Sequence, residues 1–395
     1  MYYDVIASDI LEKHKNITYK EITTGILYIS FGNQKKRRAY MKTKILSLFM
    51  AAVLAAGMLA GCGKSSDDSS GGTESNTSEA EEETDKKSDG EPVVLKIATI
   101  LTSGEPAVNQ MEAFAERVNE RSQGSLEVQV YANSELYANA QDIVEAITRG
   151  GNIIGFFDPA QMSDFVPDYA VMNAPYLYNA PEDIEKVGLS DYGQEMVEHA
   201  AEKGVRVLDS MTTYFGTRQV ISKKKFTNPE EFKGIMCRVP TTPLWVKTIE
   251  AMGGNPTTIA FSEVYSAISQ GVADAAENPL PSIYAAKLHE VAPYVMLTGH
   301  MIAPGGLEMS EEFFQSLTKE QQTILTEEAL AFAKGTTEEV LAAEKQVRKE
   351  MEEQGVEFVE VDTEAFAETC KTVYTAFPEW TDGVFDRVKE IVDKE

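Results

Sequence analysis

From Val93 to Phe157 the chain alternates strand-like and helix-like segments, and this alternation limits the fold more than any other feature. Val93-Val94-Leu95-Lys96-Ile97-Ala98-Thr99 is a nearly unbroken apolar run of strand length. Pro106 suits the first turn of a helix, where its missing N–H has no partner to lose. Val108, Met111, Phe114, Ala115 and Val118 then recur at spacings of three and four, which puts them on one helical face. Gly124 breaks that segment. Leu126 to Tyr131 alternates apolar and polar residues as a strand does. A second helix is expected over about 138–149, stopped by Gly150-Gly151, and Asn152–Phe157 reads as the next strand. Strand, helix, strand, helix, strand is the signature of a parallel α/β sheet.

The pattern continues less regularly. Pro175-Tyr176-Leu177-Tyr178 interrupts it, and one helix is expected over about 181–203, followed by a strand at Val205–Asp209. Tyr214–Ile221 reads as a strand crossing between two halves. Pro243 opens a helix carrying Leu244, Val246, Ile249 and Met252, ended by Gly253-Gly254. Ser262 is expected to cap a short helix ending at Gly271. Strand-like segments recur near 273–277 and 294–300. Lys319–Gln354 is helical in pattern and interrupted only at Lys334-Gly335, which allows two helices or one long bent one. Val356–Val361 is strand-like and the tail from Glu364 helical. At 395 residues the chain has room for two or three domains.

Upstream, Met41 opens a secretion signal: Lys42 and Lys44 give the positive region, and Ile45 to Ala60 is an apolar run too short for a confident membrane span. It ends Leu59-Ala60-Gly61-Cys62, small residues before a cysteine, as in a bacterial lipobox whose cysteine is lipidated. An ordinary cleaved signal is the plainer alternative, and Arg37-Arg38 ahead of Met41 loosely fits a twin-arginine signal. Residues 1–40 have no clear period and are expected to reflect a start assigned upstream of Met41. Residues 62–91 are Ser, Gly, Thr, Asp and Glu with almost nothing to bury, so they read as a disordered tether. Anchor and tether together put the body on the outer face of the cytoplasmic membrane, stably so only with more than one acyl chain.

The net charge of −27 argues against nucleic acid and anionic lipid as partners. No Cys/His spacing suits zinc, and no Gly-x-Gly-x-x-Gly or Walker motif indicates a nucleotide; no cofactor is expected. Neither Gly-x-Ser-x-Gly nor His-Glu-x-x-His is present, and the histidines are His14, His199, His289 and His300. The acidic residues read mostly as solvated helix faces. No catalytic constellation is evident, so the chain is not expected to be an enzyme. With Cys62 assigned to lipidation, Cys237 and Cys370 are left either to form a disulfide or, in the plainer reading, to stay as free core thiols.

Arg238 stands out. It follows Ile235-Met236-Cys237 and precedes Val239-Pro240, so its surroundings are apolar. A buried guanidinium requires an anion, and its planar fork matches a carboxylate. That anion is a ligand or, in the plainer reading, a structural Asp or Glu. Arg218 lies in a similar apolar strand, where an exposed strand arginine is the plainer reading. Phe261 precedes the expected helix cap and reads otherwise as core. Asn278 lies between Glu277 and Pro279, where turn chemistry is the alternative. Asp158 follows Phe156-Phe157 at a strand end, a place where α/β sheets meet ligands and also where capping is common.

Taken in order, Phe232-Lys233-Gly234, Arg238-Val239-Pro240, Phe261-Ser262-Glu263-Val264-Tyr265, Gly271-Val272-Ala273-Asp274 and Glu277-Asn278-Pro279 resemble the solute-binding protein of a tripartite ATP-independent periplasmic (TRAP) transporter, of the dicarboxylate-binding type. Phe114-Ala115-Glu116 and Pro175-Tyr176-Leu177 are weaker marks. The resemblance runs from about Val94 to the end. It implies a type II periplasmic-binding-protein-like fold: two α/β lobes around a ligand cleft, crossing hinge strands and a long helix spanning both lobes. The lobes fall at 92–215 with 304–343, and at 216–303 with 344–395. It also implies a small organic acid as ligand (dicarboxylate, sugar acid or keto acid) and a membrane permease as partner. The family's carboxylate-clamping arginine falls on Arg238, a second arginine on Arg218, the aromatic packing on the ligand skeleton on Phe261, the carboxylate-binding asparagine on Asn278, and an acidic residue reading hydroxyls in some members near Asp158. Met236-Cys237 and Ala275 depart from the family's usual residues and bear on the substrate rather than the class. An ABC-importer receptor and an extracellular enzyme on the same scaffold are the competing readings.

Overall fold

The computed structural model describes Glu91–Lys394; the signal, Cys62 and the tether lie outside the described residues. Strands β1 (Val93–Ala98), β2 (Leu126–Tyr131) and β3 (Ile153–Phe157) pair in parallel, with β1 in the middle. The crossovers are helices α1 (Pro106–Arg121) and α2 (Ala140–Thr148). The apolar stripe expected on α1 is the buried face: Val108, Met111, Phe114, Ala115 and Val118 are all in the core.

Beyond β3 the sheet becomes mixed. The following helical stretch is two helices, not one: α3 (Asp183–Gly188) and α4 (Asp191–Glu202). The first ends at Gly188 with Leu189 as its C-cap, and Ser190 caps the second, its Oγ accepting from the Gly193 N–H at 3.2 Å. A serine that bonds the backbone in this way starts a new helix rather than extending the old one. After β4 (Val205–Val207) comes β5 (Thr213–Ser222), then α5 (Pro229–Phe232), β6 (Met236–Val239), α6 (Pro243–Ala251) and β7 (Asn255–Thr258). Ser262 is not a cap. It lies within a 3-10 turn, Phe261–Glu263, that leads into α7 (Val264–Gln270). Gly271 ends α7 in the left-handed conformation, as expected. Strand β8 (Ala275–Pro279) runs into α8 (Leu280–Ala285).

Strand β9 (Tyr294–Ser310) has 17 residues and is far longer than its sequence suggested. Its first part pairs antiparallel with β5, and its last residues pair with β3 and β4. The main strand order is therefore β2-β1-β3-β9-β5-β8-β6-β7, with β5 and β9 joining the two ends of the sheet. The run Pro304-Gly305-Gly306 does not end the strand. Pro304 lies opposite Tyr214 at a bulge, where a missing N–H is tolerated. A Cβ on Gly305 would come within 2.5 Å of the Phe156 ring, so this glycine marks close packing.

After α9 (Glu311–Ser316), helix α10 (Lys319–Glu353) is continuous over 35 residues. Gly335 weakens a helix by about 1 kcal/mol relative to alanine but does not stop one. Here it lets Gln110 of α1 pack against the helix backbone. Glu339 then accepts from Asn109 and Gln110, while Glu344 accepts from the Tyr214 hydroxyl and the Thr217 N–H of β5. One helix thus ties α1 to the crossing strand. Strand β10 (Glu357–Val359) pairs with β9, and α11 (Thr363–Cys370) and α12 (Val384–Val392) complete the chain to Lys394. Cys237 and Cys370 are buried, free thiols.

Candidate functional site

The five residues singled out from the sequence line one cavity of about 100 Å³. Each arrives from a different element. Asp158 is the first residue beyond β3, Arg218 is in β5, Arg238 in β6, Phe261 in the turn after β7, and Asn278 in β8. Ile100, Phe156, Phe215 and Ile259 give apolar wall, and Gln161, Thr241 and Thr242 add neutral polar groups. An apolar cleft with a few convergent polar groups is the usual form of a small-ligand site.

The two arginines differ in kind. Arg218 is buried, not exposed, and is already paired. Its Nε donates to Glu277 Oε2 and its Nη2 donates to Glu277 Oε1 at 2.8 Å. The register explains the match. Antiparallel β5 and β8 set Arg218 opposite Pro279 and Val220 opposite Glu277. Arg218 and Glu277 are therefore diagonal neighbours on one face, within reach of long side chains. His300 of β9 joins them, its Nε2 3.5 Å from Glu277 Oε2 and its Nδ1 bonded to Thr298 Oγ1 at 2.9 Å. Burial pushes the Glu277 carboxyl up, but Arg218 and His300 more than reverse this and hold it below the usual carboxylate range.

Arg238 is equally buried and has no carboxylate partner among the described residues. Its Nε donates to the Ile259 carbonyl at 2.8 Å, and its guanidinium lies 5.7 Å from the Phe261 ring centroid. Burial lowers its pKa to about 10, and the nearby Arg218 pulls the same way against Glu277. It remains charged at neutral pH. A desolvated guanidinium without a fixed anion is an anion-binding group awaiting its partner.

Asp158 also has unused capacity. Its Oδ1 is buried and has no hydrogen-bond partner among the described residues, while its backbone N–H donates to Gln161 Oε1 at 3.0 Å. Burial raises its carboxyl to about 6; Arg218 lowers it and Glu277 raises it. Asn278 is buried beside Glu277 in β8, and Phe261 is half-buried, packed on the edge of the core cluster of Ile221, Val264 and Ile268 with its ring also facing Arg238.

Sequence reading missed the counter-ion Glu277, seen only as a motif neighbour of Asn278, and it missed His300. The signal for Glu277 was an acid inside a run that is otherwise buried throughout. Only the β5–β8 register reveals what it pairs with.

The family described as bacterial extracellular solute-binding protein, family 7, matches residues 97–379. A solute-binding protein of Chromohalobacter salexigens is 30% identical over 277 residues, covering 69% of this chain and 81% of its own. A TRAP periplasmic solute-binding protein from Ochrobacterium anthropi, solved with bound L-fuconate, is 30% identical with a TM-score of 0.74, covering 76% of this chain and 100% of its own. A TRAP periplasmic solute-binding protein from Fusobacterium, solved with sn-glycerol 3-phosphate, is 34% identical with a TM-score of 0.73, covering 76% and 97%. These matches make the mixed α/β sheet that of a two-lobed, type II periplasmic-binding-protein-like receptor, and this chain belongs to the bacterial extracellular solute-binding proteins of family 7.

Proposed function

We propose that the cavity binds one small organic acid by its carboxylate, with Arg238 as the clamp. The protein is then the extracytoplasmic receptor of a TRAP transporter and delivers the acid, chemically unchanged, to the membrane permease. The observation that carries this reading is Arg238 itself: a buried guanidinium that lines a cavity and has no carboxylate partner among the described residues. Asn278 supplies an amide to the same carboxylate. Phe261 covers the carbon skeleton, and Asp158 accepts from a ligand hydroxyl. Arg218, held by Glu277, contributes the hydrogen-bonding capacity that the pair leaves free.

We assign residues 92–215 and 304–343 to one lobe, and 216–303 and 344–395 to the other. Asp158 then comes from the first lobe and the other four from the second. A ligand touching both favours closure through contacts that exist only in the closed state. The sequence around Cys62 supports a lipid anchor, with residues 63–91 as its tether.

The deciding measurement is calorimetry on Arg238→Ala with an acid that stabilises the wild-type protein. The variant should fold and lose binding by about 100-fold or more, since charge-assisted bidentate pairs are strong. Unchanged affinity would sink the clamp; loss of folding would return Arg238 to a structural role.

A further inference from the structure

We propose that the acid held by this cavity carries a single negative charge, and that Asp158 is the residue that turns away a second one. This rests on the receptor reading above and narrows its ligand class.

Among the described residues the cavity has three ionisable lining side chains: Arg218, Arg238 and Asp158. Arg218 is neutralised where it stands, because both oxygens of Glu277 accept from its guanidinium. Arg238 has only the Ile259 carbonyl. One carboxylate therefore balances the one uncompensated cation. A second carboxylate on the same ligand finds no free cation to meet. It instead approaches Asp158, which extends from the end of β3 and is separated from β6, the strand of Arg238, by β9, β5 and β8. At neutral pH Asp158 is mostly ionised, since burial raises its carboxyl only to about 6. Like charges in a desolvated cavity repel far more strongly than in water.

Asp158 has a positive preference as well. Its buried Oδ1 has no donor among the described residues, so the ligand atom facing it must donate a hydrogen bond. A hydroxyl does so; a carboxylate at neutral pH does not. The remaining polar lining is of amides and hydroxyls such as Gln141, Gln161 and Thr241, which suit a hydroxylated chain and add no charge. The favoured ligand is thus a hydroxylated monocarboxylate, and the disfavoured one its dicarboxylate counterpart.

The test uses matched pairs. Six-carbon aldonates and the corresponding aldarates share a skeleton and differ by one terminal carboxylate. Calorimetry on the full chain at pH 7.5 (roughly, well above the Asp158 transition) compares both series for the wild type, Asp158→Asn and Arg238→Ala. The best aldonate should bind the wild type at least about tenfold more tightly than its aldarate. Asp158→Asn should bring the two within about threefold, mainly by improving the aldarate. Aldarate binding equal to or tighter than aldonate binding, or a ratio untouched by Asp158→Asn, overturns the charge limit. If that aldarate binding is lost in Arg238→Ala, the receptor reading survives the failure. If no acid of either series binds, the hydroxylated-monocarboxylate assignment falls, and the receptor reading stands on its own Arg238→Ala calorimetry.

Discussion

Arg218 and Arg238 are 3% and 4% exposed, so solvent alone makes them equivalent, yet replacing each by methionine should have opposite consequences. Arg218→Met leaves Glu277 fully buried without its bidentate donor. Breaking a buried pair from one side costs about 3–5 kcal/mol. For roughly 300 ordered residues the entropy of unfolding is about 0.6 kcal/mol/K, so the melting temperature should fall by about 5–8 °C. Arg238→Met removes a buried charge that has no paired carboxylate among the described residues. It loses the bond to Ile259 but also removes an unpaired burial penalty, so without ligand the midpoint should move by less than about 2 °C.

The assay is scanning calorimetry on protein freed of ligand by unfolding, dialysis and refolding. Two controls separate pairing from packing. Adding Glu277→Gln to Arg218→Met should recover part of the loss, because the stranded carboxylate is gone. The pH dependence has a definite sign. Glu277 is held below its unfolded value of about 4.5, so its contribution is present above that pH and lost as pH falls through the lower folded value. In Arg218→Met burial instead raises the carboxyl, so the deficit should be full at neutral pH and shrink as the pH falls toward about 5. If Arg238→Met costs as much as Arg218→Met, Arg238 has a protein anion after all and the argument for a ligand clamp collapses.

Two further outcomes are expected. Asp209 is buried and accepts from the Met211 N–H at 3.2 Å and the Thr213 hydroxyl at 3.0 Å, yet burial raises its carboxyl to about 7. Its raised folded value means its own contribution to stability is full below about 4 and declines by roughly 3–4 kcal/mol as pH rises to about 7; Asp209→Asn should flatten the urea-unfolding free energy between about pH 5 and 8, and an unchanged slope would refute the assignment. Cys62→Ser, in cells of the source type, should move the protein from the membrane fraction to the soluble one and abolish acyl labelling; a wild type that carries no acyl group rules the anchor out.

Much of this molecule is written locally. The first parallel strands, the buried face of α1 and the stop at Gly271 follow from spacing and turn chemistry within a few residues. Where the reading erred or stayed open, a distant partner had decided the matter. At Gly335 spacing allows two helices or one long one, and Gln110 of α1 packed against it goes with the continuous helix. The segment near 294–300 reads as a short strand until the bulge opposite Tyr214 and the Phe156 ring account for Pro304 and Gly305 inside a longer one. Glycine signals either a break or a close approach, and only the neighbouring element distinguishes them.

The same limit governs the site. Sequence composition identified both arginines, and the plainer readings assigned them the wrong way round: an ion pair for Arg238, solvent for Arg218. Identity and local burial cannot resolve this, because both sit in short apolar strands. Pairing is settled by register. Antiparallel β5 and β8 place Val220 against Glu277 and so bring Glu277 diagonally to Arg218. Parallel pairing sets Arg238 against Ala276 in β8 and Thr257 in β7, neither of which can neutralise it. A register slip of one residue in β8 would send the Glu277 side chain to the other face of the sheet and leave Arg218, too, without its anion. The contrast between a satisfied and an unsatisfied guanidinium, on which the binding argument depends, is therefore a property of strand pairing rather than of either arginine.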